Sequence, residues 1–288
     1  MKRNFICGLV LLITLVPGLA LSSSAIARSV ENYTWIGPTG DPLPFESFQE
    51  AEEFLASSEV ARSKTRRDGP NKYKKVVLDN DGIWANSIFR WENVVKRPDI
   101  TGSSTMASRH FRDSYESEVA AYKINEILGL YNIPPTIYRE IEGRSGSVQL
   151  WMEKTTKEVD RRNKGTVPPD TTSWNRQSHD MRVFDNLINN IDRNQSNILI
   201  DKDWNLWCID HTRSFAMDES LPSPEKVSRC SRSLYNALKE MDEDFVRETL
   251  SSLLRGAEVD AFFVRRERII EILEDRVAEV GESAVFYD

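Results

Sequence analysis

The chain has 288 residues, 40% of them hydrophobic and 29% charged, which excludes wholesale disorder and is enough for one large domain or two small lobes. Its formal charge of −7 and isoelectric point near 5.3 argue against a nucleic-acid partner, because phosphate recognition calls for a basic face. Lys2 and Arg3 precede the apolar run FICGLVLLITLVPGLAL, and Ala25-Ile26-Ala27 supplies the small residues that a signal peptidase accepts. The run is broken by Gly8, Pro17 and Gly18 and falls short of the roughly 20 residues that span a bilayer. Residues 1–27 are therefore expected to be a cleaved secretory signal, with an uncleaved membrane anchor as the alternative. Cleavage leaves no stable membrane span, 36 basic against 45 acidic residues and a formal charge of −9. It sends the protein to the periplasm or exterior of a bacterium, or to the secretory lumen or exterior of a eukaryotic cell. Cys208 and Cys230 then remain, open to one disulfide or to two buried thiols.

Residues 28–46, rich in Gly, Pro and aromatics, read as an extended segment. A short helix follows over residues 47–64, with Phe48, Ala51, Phe54 and Leu55 on one face. Strands over Tyr73–Leu78 and Ile83–Trp91 flank Asn80-Asp81-Gly82, a strong hairpin signal. After a loop of mixed charge, Val119, Tyr122, Ile124, Ile127 and Leu128 recur at helical spacing, and Gly129 with Pro134 and Pro135 stops the helix. Two more strands are expected around Gly143-Arg144-Ser145-Gly146. Hairpin, helix, hairpin is the order of a small lobe, residues 47–154, in which one helix packs on an antiparallel sheet.

Thr155 to Trp174 is a polar, proline-bearing connection, and a second lobe is expected over residues 155–288. It begins with a buried helix carrying Met181, Phe184, Leu187, Ile188 and Ile191 in one stripe and ending at Ile191. A two-stranded ribbon follows, turning at Lys202-Asp203, and from Leu234 onward the pattern is helical, with Gly256 between the last two helices. The fold class is α+β, with a small antiparallel-sheet lobe and a larger, mainly helical one.

The chemistry gathers in NNIDRNQSNILIDKDWNLWCIDHTRSF, Asn189 to Phe215. A helix leads into a loop with Asp192 and Asn197, and the ribbon folds Asp210 back beside Asn197. Asp192 and Asn197 stand five residues apart, the spacing of the protein-kinase catalytic loop H-R-D-x-x-x-x-N. There the Asp orients a hydroxyl nucleophile and the Asn holds a metal. Asp210 stands where those enzymes place the metal-binding Asp of D-F-G. A carboxylate and an amide are the hard oxygen ligands that Mg²⁺ prefers. Taken alone, these Asn and Asp side chains also suit a polar turn leaving a helix.

DMRVFDNLINNIDRNQSNILI followed by IDHTRSF resembles the atypical kinases of the Golgi casein-kinase and four-jointed family, and more distantly HipA-type and phosphoinositide-type kinases. SEVAAYKINEILGLYNIPPTIYR resembles that family's helix, and this maps its ion-pairing Glu onto Glu118. NSIFRW resembles the strand that presents the phosphate-binding lysine, a place taken here by Arg90. The three elements, in order, cover about residues 45–230. The resemblance implies a two-lobed protein-kinase-like fold with ATP and Mg²⁺ or Mn²⁺ between the lobes. Asp192 would be catalytic, Asn197 and Asp210 metal ligands, and Arg90 braced by Glu118 the nucleotide-binding pair. As supporting residues, Arg193 would neutralise the loop carboxylates or bind a phosphate, His211 would be a structural hydrogen-bonder or touch phosphate or metal, and Met152 and Glu153 fall where the inter-lobe hinge would cradle adenine.

Departures from the family pattern set the alternatives. Arginine replaces lysine at residue 90, no glycine-rich loop covers the strands before it beyond Asp68-Gly69-Pro70, and Asp210-His211-Thr212 lacks the third-position glycine. The leading expectation is an exported phosphotransferase moving the γ-phosphate of ATP to a hydroxyl-bearing acceptor, protein or sugar. The alternatives are an inactive pseudokinase that binds nucleotide or a partner, and an AMP transferase on the same fold.

Overall fold

The computed structural model describes residues 33–68, 71–96 and 111–288. The secretory signal expected over residues 1–27, the Gly69-Pro70 turn and most of the mixed-charge loop lie outside the described residues. Among the described residues no helix is long and apolar enough to cross a membrane.

The first helix, α1 (Phe48–Ser57), buries Phe48, Ala51, Phe54 and Leu55 and starts at Ser47, whose hydroxyl accepts from the Glu50 amide. That stripe is the expected one, but the helix is shorter than expected. Ser58 leaves the helical conformation and the chain becomes β1 (Glu59–Asp68), antiparallel to β2 (Asn71–Asn80). Next comes β3 (Ile83–Arg90). The β2–β3 turn, Asp81-Gly82, has positive φ at both residues, 51° and 85°, the left-handed pair that a two-residue hairpin needs.

Beyond Trp91, β4 (Asn93–Lys96) pairs with β5 (Phe111–Ser114), which runs straight into α2 (Tyr115–Ile127). Strands β6 (Thr136–Ile141) and β7 (Arg144–Leu150) complete a five-stranded sheet in the order β1-β2-β3-β7-β6. Their turn is Glu142-Gly143, with φ of 53° and 71°, earlier than the expected Gly143–Gly146. Gly146 lies inside β7 because a Cβ there would collide with the Arg90 carbonyl and the Phe89 ring. Both α1 and α2 pack on this sheet. Trp35 and Phe45 of the extended segment are buried with them, and Trp35 and Phe48 stack around Trp207.

The chain leaves the sheet at Leu150 and forms β8 (Thr156–Lys157), α3 (Glu158–Asn163) and α4 (Thr171–Leu187). Helix α4 ends at Leu187 rather than Ile191. Asn189 takes φ 54°, its amide donates to Asn186 O and that of Asn190 to Asp185 O, which closes the helix as a Schellman motif. Ile191 is consequently exposed, at 63%. Strands β9 (Ile198–Ile200) and β10 (Leu206–Cys208) make the ribbon, extended by β8. Then come β11 (Cys230–Ser231), α5 (Arg232–Glu240), α6 (Glu243–Leu250), α7 (Gly256–Val280), α8 (Glu282–Val285) and β12 (Phe286–Tyr287), the last parallel to β11. Cys208 and Cys230 are buried free thiols.

The halves are stitched together beside the ribbon. Ser114 N donates to Thr212 O at 3.0 Å and Cys208 N to Asn132 O at 2.7 Å. Buried Arg112 grips both carboxylate oxygens of buried Glu258, at 2.9 and 3.0 Å. Arg265, fully buried, donates to Leu187 O and Ala216 O. Burial pulls its guanidinium down to about 9.

Candidate active site

A cleft of about 280 Å³ opens between the sheet and the ribbon, lined by Ile88 and Arg90 of β3, Gln149 to Met152 at the end of β7, and Asn197, Ile209 and Asp210 of the ribbon. Alternation places them there. In β3, Ala85, Ser87 and Phe89 are buried against the core, so Ile88 and Arg90 face the other way. In the ribbon, Ile209 N donates to Asn197 O at 3.1 Å, which sets Asp210 beside Asn197.

Arg90 lies between two carboxylates, with Nε 3.6 Å from Glu118 Oε1 and Nη2 3.8 Å from Asp210 Oδ1. Its buried Nη1 has no hydrogen-bond partner among the described residues. Burial opposes the guanidinium's charge, but Glu118 and then Asp210 outweigh it and hold Arg90 above its usual range. Glu118 is fully buried. Burial alone would raise its carboxyl; Arg90 and then His211 reverse this and draw it down to about 2. Asp210 ends on the other side of the balance. Burial raises its carboxyl, Arg90 only partly offsets that and Glu118 adds to it. Asp210 also sits at φ 62°, a left-handed conformation that Asp tolerates.

Asp192 is not among the residues lining the cleft; its side chain is 39% exposed, with Oδ2 3.3 Å from Arg213 Nη1. Arg213 Nε also contacts Asp113 Oδ2, at 3.4 Å. Asn197 Nδ2 donates to Asp192 O at 3.0 Å, and Asn197 Oδ1 accepts no hydrogen bond among the described residues. Arg193 and His211 lie beneath the loop rather than in the cleft. Arg193 holds Asp185 at 3.0 Å and donates to the carbonyls of Asn197 and Ile209, both at 2.8 Å. It is the clamp that joins the loop to the ribbon. His211 is fully buried, between Arg193 and Glu118. Met152 lines the cleft and accepts from Thr155 Oγ1 at 3.1 Å, and Glu153 accepts from Asn86.

Sequence reasoning missed Asp185, Arg213 and Asp113. Asp185 had a signal, a carboxylate one residue past Phe184 on an otherwise apolar stripe. Arg213 closes the IDHTR string but carries no spacing rule. Asp113 had none, because β5 reaches the cleft through tertiary contacts, pairing with β4 and bonding from Ser114 to Thr212.

No protein-family model matches the chain, and no curated protein matches it. Among solved structures, hydra Fam20, determined with a sugar, aligns over 91% of this chain and 98% of that one, with a TM-score of 0.62 and 15% identity. The fold is kinase-like, of the Fam20 type. The Golgi casein kinase with Mn/ADP bound aligns over 83% of this chain and 78% of that one, with a TM-score of 0.57 and 15% identity. Another structure of the Golgi casein kinase covers 94% and 93%, with a TM-score of 0.57 and 14% identity. The fold expected from the three motifs is thus borne out.

Proposed function

We propose that this chain is an exported kinase-like phosphotransferase, moving the γ-phosphate of ATP to a hydroxyl-bearing acceptor with a divalent metal. One observation carries the reading: Arg90, braced by Glu118, faces Asp210 across the same cleft that Asn197 and Met152 line. Export is supported by the Lys2-Arg3 and Ala25–Ala27 pattern, and nucleotide by the Golgi casein kinase structure that carries Mn/ADP.

In this reading the hinge around Met152 takes the adenine and the free Nη1 of Arg90 takes phosphate oxygen. Asn197 Oδ1 and Asp210 would hold the metal, and these donors fit it. They are hard oxygens, and Asp210 sits in a site with more carboxylate than arginine to balance it. Among the described residues no three acidic, His or Cys side chains converge into a metal cage, so phosphate oxygens and water would complete the shell, as Mg²⁺ prefers. Bound metal would neutralise charge on the phosphates. Asp192 accepts the hydroxyl proton and aims the oxygen. Arg193 keeps the loop carrying Asp192 at fixed distance from Asp210. Catalysis is by positioning and charge rather than a covalent intermediate.

The contact between Arg90 Nη2 and Asp210 supports a second reading, in which the arginine competes for the metal ligand and the chain binds nucleotide without turnover. Thermal shift with ATP and Mg²⁺ or Mn²⁺ reports binding, and intact-mass analysis of an acceptor pool reports phosphate or AMP transfer. Asp210→Ala should abolish either product. Turnover unchanged in Asp210→Ala would sink the assignment.

A further inference from the structure

The first hairpin carries charge that the cleft does not use. Residues 60–78 hold seven cations and one acid in a chain of formal charge −7, so the hairpin's field opposes that of the whole. Its register decides where those cations point. Val60 pairs with Leu78 and packs against the core, but the pairs that follow are Arg62 with Val77, Lys64 with Lys75 and Arg66 with Tyr73. Ala61 is the extra residue of a bulge, and a one-residue slip turns every later side chain over. Without it Arg62, Lys64 and Arg66 would fall on the side of buried Val76. With it they form one row on the opposite face, the face that carries Tyr73, Ile88 and Arg90 into the cleft. The Arg62 guanidinium lies over the Trp84 ring of β3, 5.7 Å from its centre, and Lys75 Nζ lies 4.4 Å from that of Trp151.

Arg62, Lys64 and Arg66 are exposed, and among the described residues none of them forms a salt bridge. Acids nearby are engaged elsewhere: Glu142 with Lys74 and Ser63, Glu153 with Asn86, and Asp79 with the Gly82 amide. The strand's own acids, Glu59 and Asp68, stand at its two ends. Among the described residues β1 pairs with β2 alone, so its outer edge presents open backbone N–H and C=O groups. A row of cations along that edge repels a second copy of the same hairpin and disfavours a neutral strand. It complements a strand with carboxylates at every second position, because side chains on one face recur at roughly 7 Å. Open backbone donors and acceptors suit a peptide, whereas a lipid surface would use the charge alone.

We propose that the outer edge of β1 docks an extended acidic segment of a partner protein by strand addition, its alternate carboxylates set against Arg62, Lys64 and Arg66. Docking at this edge is independent of the chemistry in the cleft. The test is fluorescence anisotropy of the full chain with a labelled octapeptide of alternating Glu and Thr. Saturable binding is expected, about tenfold weaker for a peptide with the same residues in two blocks, for the fully N-methylated peptide, and for the chain carrying Lys64→Glu together with Arg66→Glu. Both side chains are exposed and unpaired, so an unchanged melting temperature should show that the variant is folded. Amide exchange in the wild-type chain gives a reading that needs no variant: residues 59–66 should slow about tenfold when the alternating peptide is bound. Equal affinity for the block or N-methylated peptide, equal affinity in the charge-reversed chain, or unchanged exchange over residues 59–66 overturns the proposal. Binding to phosphatidylglycerol vesicles but not to the peptide assigns the row to a membrane surface and overturns it as well.

Discussion

Arg193 donates from Nη2 to Nε2 of His211 across 2.8 Å. A guanidinium offers donors only, so Nε2 bears the lone pair and the neutral ring keeps its proton on Nδ1, 3.4 Å from Glu118 Oε2. One arginine under the loop thus sets the tautomer of the ring that braces Glu118, and Glu118 braces Arg90. Positioning passes from the loop to the strand through four side chains.

His211 should therefore stay neutral in the fold. Burial outweighs the pull of Glu118 and pushes the ring below its ordinary range, while the unfolded chain takes up that proton near pH 6.5. Protons bound only by the unfolded state destabilise the fold as pH drops. Urea unfolding at pH 7.5 and 5.5 should show the wild-type chain losing more stability on acidification than His211→Asn.

Asp180 runs the other way. Burial lifts its carboxyl to about 6, against the opposing bonds from Ser231 and Tyr287. Its stabilising contribution is complete below the unfolded value near 3.8 and is lost as pH rises through about 6. Asp180→Asn should be more stable than wild type by about 3 kcal/mol at pH 8, with the gain gone at pH 4, as read from denaturant midpoints.

Arg90→Met should cost about 3 kcal/mol in chemical denaturation, because it strands the buried Glu118 charge. It should also erase any thermal shift with ATP and metal. Arg90→Lys keeps the charge and should recover most of the stability. Single-turnover assays on that variant will show whether an ammonium, with fewer donors to spend on Asp210, speeds transfer.

Gly146→Ala should act at a distance. The added methyl meets the Arg90 carbonyl and the Phe89 ring, so β3 has to move. Overpacking of this kind costs about 2 kcal/mol. Nucleotide binding, measured calorimetrically, should weaken although residue 146 is outside the cleft lining.

Local chemistry explains what could be read from the sequence. Asp81-Gly82, the ribbon around Lys202-Asp203 and the α1 stripe are dictated by residues within a few positions of one another. The closeness of Asn197 and Asp210 was readable for a related reason, since they are brought together by a ribbon whose two strands are adjacent in sequence. β1 was not, because as an edge strand its Glu59–Asp68 stretch shows little apolar alternation and takes its conformation from pairing with β2. The end of α4 was misplaced by the apolar Ile188 and Ile191, although Asn189 is the kind of residue that accepts a left-handed cap. Arg193 and His211 were found as polar neighbours, but their depth beneath the loop depends on Asp185 and Glu118, which lie far away along the chain.

Helix α2 is bolted to the ribbon at both ends, at Ser114 to Thr212 and, past its last turn, at Asn132 to Cys208. Many protein kinases are switched by swinging the corresponding helix, which carries its glutamate in and out of reach of the phosphate-binding residue. Here the helix is tethered: backbone hydrogen bonds on either side of it join it to the segment that carries Asp210. Under the proposed function, the glutamate is already seated on Arg90 before nucleotide arrives, and control of output would fall to the supply of nucleotide and acceptor.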